Sequence, residues 1–304
     1  MRSYFFSSLC LFSLGQLSFA SSTEPKETEK LETMKPSQEE ISKLCNDSLK
    51  NLPGKYSKEK ITKVCQEVVH LNGCSSVKGT PIFHYDSKLA AGKPKKKVLV
   101  LGVMHGDEAE GGSVARRWME RLVGLTARNQ WRIVPVLNPD GWETKTRTNA
   151  NGVDINRNYP SQDWDELAHK YWASKKGNDP RRNPGPSAGS EPETQCTIRH
   201  IEDFQPDFIV AIHTPYGVLD FDGPKITVPK YKAIPWVSLG TFPGSLGRYM
   251  WKDKNVPVLT VELKNAKFLE QMDQMDFLQD IAGTVAMRAS DKANRDAKHK
   301  HKEH

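Results

Sequence analysis

The chain has 304 residues, 37% of them hydrophobic and 27% charged, with a formal net charge of +7. This is enough for one large core, or a core with a small appendage, and it describes a soluble globular protein rather than a membrane-embedded one. The basic excess lies in runs such as "GKPKKK" and in the C-terminal tail, without interleaved aromatics, which argues against nucleic-acid binding.

Residues 1–20, "MRSYFFSSLCLFSLGQLSFA", place Arg2 ahead of an apolar centre too short to span a bilayer. Ser18 and Ala20 stand where a signal peptidase accepts small side chains, so a signal peptide is expected, with the mature chain starting near Ser21. The protein is then exported, periplasmic or secreted, with no stable membrane insertion once the signal is removed. Cys10 follows Leu9, not the small residue that precedes a lipid-attachment cysteine. Residues 21–40 are charged and poor in apolar groups, as a flexible linker is.

Residues 41–75 read as an N-terminal helical hairpin. Cys45 and Cys65 lie on two short amphipathic stretches, "EEISKLCNDSLKNL" and "KEKITKVCQEVVHL", separated by the breaker "PGKY". Without Cys10 the cysteines are Cys45, Cys65, Cys74 and Cys196, and four cysteines allow three pairings. A hairpin stapled by Cys45 and Cys65, with Cys74 joined to Cys196, is the preferred one in an exported protein; four buried free thiols are the alternative. The hairpin either covers an active site or packs on the back of the main domain.

In residues 76–290 the apolar runs "KVLVLGVM", "WRIVPVL", "DFIVAIH" and "VPVLTVEL" are too short for helices and rich in valine and isoleucine, so they read as buried strands. Helical patterns run from Glu108 to Leu122, from Glu191 to Phe204 and from about Lys267 to Ala289. The alternation predicts a single α/β domain, with a central mixed, largely parallel sheet flanked by helices on both faces. Residues 291–304 read as a solvated basic tail, whose alternating His and Lys are poor metal ligands.

In such a fold ligands bind beyond the carboxyl ends of the strands. His105 and Glu108 follow the first strand, His213 ends the third and Glu262 ends the fourth. One catalytic zinc ion accounts for the set. His105, Glu108 and His213 supply three ligands, the two-residue gap in "HGDE" lets one turn present two of them, and Glu262 is left as general base toward water on the metal. For a single strand-end histidine a structural role is the commoner reading; the conjunction of four residues carries the inference.

The motifs "HGDE", "NPDG", "RTNANGVDINRNYP", "SEPET", the strand-end "IH" and "TVEL" follow one another as in the carboxypeptidase A-like zinc peptidases, which the chain resembles over roughly Thr80 to Ala289. The run Gly152 to Tyr159 is the most specific. "HGDE" with "FPGSLG" resembles the bacterial murein peptide amidase branch, which cleaves between γ-D-glutamate and meso-diaminopimelate. The resemblance implies His105, Glu108 and His213 as zinc ligands, Glu262 as the base that activates water and protonates the leaving amine, and Arg147 as the oxyanion-stabilising arginine. It implies that Asn156 and Arg157 grip the carboxylate of the departing residue, which suits the planar fork of an arginine and a neutral amide donor.

Two departures bear on specificity. Digestive members of the family carry an arginine between the first two zinc ligands, where this chain has Gly106 and Asp107, and their mobile tyrosine aligns near Leu239, with Tyr249 the nearest tyrosine. The specificity pocket is expected around Gly244 to Met250. Relatives that remove basic residues have an acid on this wall, whereas Leu246 and Gly247 stand here, which argues against a simple lysine-and-arginine carboxypeptidase. Arg248 is placed to meet the second carboxylate of diaminopimelate, or else faces solvent. The murein stem peptide is therefore the expected substrate. A D,L-carboxypeptidase acting on a neighbouring bond stays open, as does an aspartoacylase-like N-acyl amino acid deacylase, although the "NPDG" and "NGVDINRNYP" context favours a peptidase. A catalytically silent relative is expected to lack Glu262 or a zinc ligand, and all four are present.

Overall fold

The computed structural model describes residues 35–92 and 95–300, the side chains only as far as Ala293. The expected signal peptide and residues 21–34 of the linker lie outside the described residues.

After its first residue, β3 (Lys97–Leu101) is valine and leucine throughout, and its two faces enter two different cores: Val98 and Val100 one, Leu99 and Leu101 the other. A strand buried on both faces belongs in the middle of a sheet covered on both sides. β3 pairs in parallel with β4 (Gln130–Val134) and with β5 (Phe208–His213), and β5 pairs in parallel with β7 (Val258–Glu262). These are the four strands expected from the apolar runs. Three more, β1 (Val69–Ser75), β2 (Pro81–Asp86) and β6 (Val218–Asp222), complete a seven-stranded mixed sheet in the order β1-β2-β4-β3-β5-β7-β6. All three join antiparallel.

One face of the sheet is covered by α3 (Ala109–Leu122) and α7 (Met272–Lys300), whose Val114, Trp118, Leu278 and Val285 share a core with Val100, Val210 and Val261. The other is covered by α6 (Pro192–Phe204), through Cys196 and Phe204 packed with Leu99 and Ile209. The expected α/β architecture is the observed one.

The N-terminal hairpin is α1 (Gln38–Asn51), opened by a Ser37–Glu40 capping box, and α2 (Lys58–Glu67). It is shorter than the expected 41–75, because Val69–Ser75 is β1, with His70 and Cys74 facing inward and Val69 and Asn72 outward. Cys45 is bonded to Cys65 and Cys74 to Cys196, the preferred pairing. The hairpin packs into the α3 side of the core. Arg116 of α3, buried, donates to the carbonyls of Leu49, Leu52, Pro53 and Gly54 at 2.7–3.1 Å and so closes the end of α1 and the turn after it. No hairpin residue lines the cavity described below, in which His105, Glu108 and His213 lie. The basic tail also differs from expectation: α7 continues through it to Lys300, because alanine, lysine and arginine extend an existing helix without a new nucleation step. Residues 301–304 lie outside the described residues.

Candidate active site

His105 reaches its position through a sharp corner after β3. Val103 has φ of 44°, a left-handed conformation that strains a β-branched residue. Asn138 holds the corner: its N–H donates to the Val103 carbonyl at 2.9 Å, and its side chain accepts from the N–H of Gly141 at 2.9 Å to cap α4 (Pro139–Thr144). Glu108 is the N-cap residue of α3, but its carboxylate makes no capping bond and turns away to the imidazoles. Gly111, one turn into α3, brings the helix onto the end of β5, since a Cβ there would overlap the Ile212 carbonyl.

His213 thereby meets His105 and Glu108. His105 Nδ1 is 2.9 Å from Glu108 Oε1, His213 Nδ1 is 2.8 Å from Oε2, and the two Nδ1 atoms are 3.1 Å apart. On its far side His105 Nε2 lies 3.0 Å from Asp154 Oδ1. With the Nε2 proton given to Asp154, the Nδ1 lone pair of His105 faces a second ring nitrogen and a carboxylate. Three electron-rich groups in contact form a set that a cation satisfies, and two imidazoles with one carboxylate are a zinc donor set. The pKa directions agree. Burial and Arg147 both oppose charge on His105, yet Glu108 and Asp154 outweigh them and raise it, while burial would raise Glu108 but the two imidazoles hold it low. Among the described residues the other grouping of potential ligands is Cys74, Cys196 and His200, but its two sulfurs are bonded to each other.

Glu262 stands beside His213 in register at the end of β7, with Oε2 3.4 Å from the N–H of Tyr216. Burial raises its pKa above the ordinary glutamate value. Arg147 joins the cluster from the other side, with Nη1 3.3 Å from Glu108 Oε1 and Nε 2.9 Å from Asp154 Oδ2. Asn156 accepts from the N–H of Leu246 at 2.9 Å, which fixes its amide and leaves its NH2 without a partner among the described residues. Arg157 is buried, and its guanidinium lies 4.8 Å from the centre of the Phe242 ring. Its Nη1 donates to the Asn156 carbonyl at 2.5 Å and its Nε is unpartnered, while Asp154, the acid that acts on it, is bonded to His105 and Arg147 instead. Burial lowers its pKa to about 10.

These residues line one cavity of about 610 Å³. Leu246 and Gly247 line it too. Arg248 does not: it pairs with Asp163 through both Nε and Nη2, because the wide helical turn Arg248–Asp253 points its side chain that way. The expected contact from Arg248 to a second substrate carboxylate does not fit this placement. Tyr249 is buried against Tyr159 and is not a lid, whereas Leu239 lines the cavity. Asp107 accepts from Arg181 at 2.7 Å, and both residues line the cavity.

Two features escaped the sequence reading. Asp154 lies within a quoted motif, but only as part of a turn. Asp220 and Asp222 of β6 also line the cavity. The alternation in "VLDFD" was the available signal, since residues two apart on a strand share a face.

Comparison with known proteins places this geometry. Murein peptide amidase A of Escherichia coli strain K12 is 28% identical over 203 residues, which cover 62% of this chain and 78% of that protein. The crystal structure of murein-tripeptide amidase from Escherichia coli O157 matches with a TM-score of 0.52 at 26% identity, covering 72% of this chain and 91% of that one. Carboxypeptidase A of Helicoverpa armigera, at 16% identity, shares the fold with a TM-score of 0.57 over 82% of this chain and 80% of its own. Residues 59–223 match the family described as zinc carboxypeptidase, whose members depend on zinc, and the His105, Glu108 and His213 grouping lies within that span. The chain belongs to the zinc carboxypeptidase family and is a hydrolase.

Proposed function

We propose that the protein is an exported murein peptidase that hydrolyses the amide bond between γ-D-glutamate and meso-diaminopimelate, with one zinc ion held by His105, Glu108 and His213. The observation that carries the reading is Arg157, a buried guanidinium with no carboxylate partner, lining the same cavity as the ligand set. A buried cation of this kind calls for an anion from the substrate. Asn156 adds a neutral donor beside it, and together they suit the free carboxylate of a departing terminal residue. The similarity to murein peptide amidases supports a murein peptide as the substrate. The disulfides and the leader-like first twenty residues support export, and among the described residues no helix is long and apolar enough to cross a membrane.

Zinc bound at this site supplies a Lewis acid that polarises the scissile carbonyl and makes water easier to deprotonate. Glu262 takes the proton from water and returns it to the leaving amine, a task that its raised pKa suits. Arg147 is placed to stabilise negative charge developing on the carbonyl oxygen. Asn156 and Arg157 hold the departing residue by its carboxylate, which fixes the bond that is cut. Asp154 keeps Arg147 and His105 in place from behind.

Incubation with L-alanyl-γ-D-glutamyl-meso-diaminopimelate, with products identified by mass, tests the reading. Release of free diaminopimelate and L-alanyl-D-glutamate is expected. Release of D-alanine from the corresponding tetrapeptide, with the tripeptide left intact, would assign a carboxypeptidase acting on the neighbouring bond instead.

A further inference from the structure

His213 and Glu262 stand at the carboxyl ends of parallel strands, and a second cavity of about 430 Å³ lies at the other end, where β4 begins. It is bounded by α3, the segment before β4 and α7, and shares no lining residue with the active-site cavity. Trp131, Leu122 and Met287 make it apolar, with Leu125, 56% exposed, beside them. The Trp131 ring is held edge to face against Trp118, with centres 5.9 Å apart. Two polar atoms among the lining residues are unsatisfied. Gln279 is 3% exposed; its Oε1 accepts from Arg121 Nη1 at 3.1 Å, which fixes the amide and leaves Nε2 a donor without a partner. Asn129 Oδ1 is a buried acceptor, also without a partner. The Asn129 side chain lies against Gly283, one turn along α7 from Gln279, so donor and acceptor belong to the same stretch of the wall. Arg121 is paired with Asp280, whereas Lys95 and Arg128, which also line the cavity, are exposed and have no side-chain partner among the described residues.

A buried donor and a buried acceptor left open together cost stability that a ligand with the complementary pair restores. A carboxylate or phosphate would serve Gln279 and offer nothing to Asn129, and an ammonium would do the reverse. A secondary amide carries both, a carbonyl for Gln279 and an N–H for Asn129. The apolar lining calls for a small methyl on one side of that amide and for a flat C–H surface against aromatic and aliphatic side chains on the other. We propose that this cavity binds an N-acetylated amino sugar by its acetamido group, between Gln279 Nε2 and Asn129 Oδ1 and over Trp131. The site stands apart from the reading of the active site. Joined to that reading, it would anchor the enzyme on a glycan strand while the peptide that hangs from the strand enters the catalytic cavity.

The test measures binding of chitotriose and cellotriose to the zinc-loaded protein by calorimetry and saturation-transfer NMR. The two trisaccharides differ by the acetamido groups. Chitotriose is expected to bind about tenfold or more tightly, as two hydrogen bonds to buried groups imply, with the strongest saturation on its acetyl methyls. In Gln279→Glu the bond from Arg121 is kept while the free donor becomes an acceptor, so chitotriose affinity should fall by a similar factor with hydrolysis of soluble peptides unchanged. N-acetylmuramic acid and N-acetylglucosamine, which differ by a carboxylate, separate the sources: tighter binding of the first, lost in Lys95→Ala/Arg128→Ala, supports a murein strand, and equal binding supports a neutral glycan. Equal affinity for cellotriose and chitotriose in the wild type, undiminished chitotriose binding in Gln279→Glu, or tighter Gln279-dependent binding of an N-acetyl dipeptide amide than of chitotriose would overturn the proposal. If chitotriose binds as expected and no murein peptide is cut, the murein peptidase reading falls and the sugar site stands.

Discussion

Asp154 Oδ1 lies 3.0 Å from Nε2 of His105, on the side of the imidazole away from Glu108 and His213. The other Asp154 oxygen accepts from Arg147 Nε at 2.9 Å, so one carboxylate orients both His105 and Arg147. Burial opposes charge on Asp154, but Arg147 and His105 hold its pKa well below the carboxylate range. Asp154→Asn keeps the shape and loses the charge. Zinc affinity is expected to fall about 10- to 100-fold, the effect of losing an outer-shell partner, as measured by competition with a chelator. Unchanged affinity would show that His105 needs no such support.

Glu262→Gln separates chemistry from binding. The amide cannot accept a proton from water, so kcat should drop by about two to four orders of magnitude with KM roughly retained. Turnover near the wild-type level would remove Glu262 from the role of base.

The proposed role of Arg157 as a carboxylate clamp makes the enzyme selective for a free terminal carboxylate. Amidating that carboxylate leaves the buried guanidinium unpaired, at a cost of about 3 kcal/mol or more, which is at least a hundredfold in kcat/KM. Efficient cutting of the amidated tripeptide would contradict the exopeptidase reading.

Away from the active site, His84 of β2 and His200 of α6 pack edge to face with ring centres 4.9 Å apart. Burial lowers both pKa values from the ordinary 6.5 to about 3, with Arg132 next in effect at His84 and His84 itself next at His200. Between those limits the unfolded chain binds protons that the folded one does not, so stability is full above about pH 6.5 and falls as the pH drops toward 3. Each histidine contributes a slope of about 1.4 kcal/mol per pH unit. In His200→Leu the loss of Tm between pH 6.5 and pH 4 should be shallower than in the wild type, whatever the absolute Tm. An unchanged slope would mean that these imidazoles do not drive acid unfolding.

The strands that the sequence discloses are those buried on both faces, where continuous apolar runs leave no ambiguity. β1, with His70, Asn72 and Gly73, and β6, with two aspartates, are outer strands whose composition reads as loop. The helix Trp164–Lys176 was missed as well, because its aromatic and charged residues are spread round it and only Trp164 and Ala168 are buried. His105, Glu108, His213 and Glu262 were legible because a parallel sheet gathers strand ends at one edge. Arg248 was not, since adjacency to Gly247 in sequence says nothing of which way a helical turn sends the next side chain. The acid pair of β6 required knowing that the strand exists.

Zinc titration of the metal-stripped protein, followed by hydrolysis of L-alanyl-γ-D-glutamyl-meso-diaminopimelate, addresses the metal and the reaction together. Activity is expected to rise linearly and level off at one zinc per chain. His213→Ala should bind no zinc at that stoichiometry and gain no activity, while its circular dichroism stays that of the wild type. Hydrolysis that persists in the stripped protein, or a fully active His213→Ala, would contradict the account.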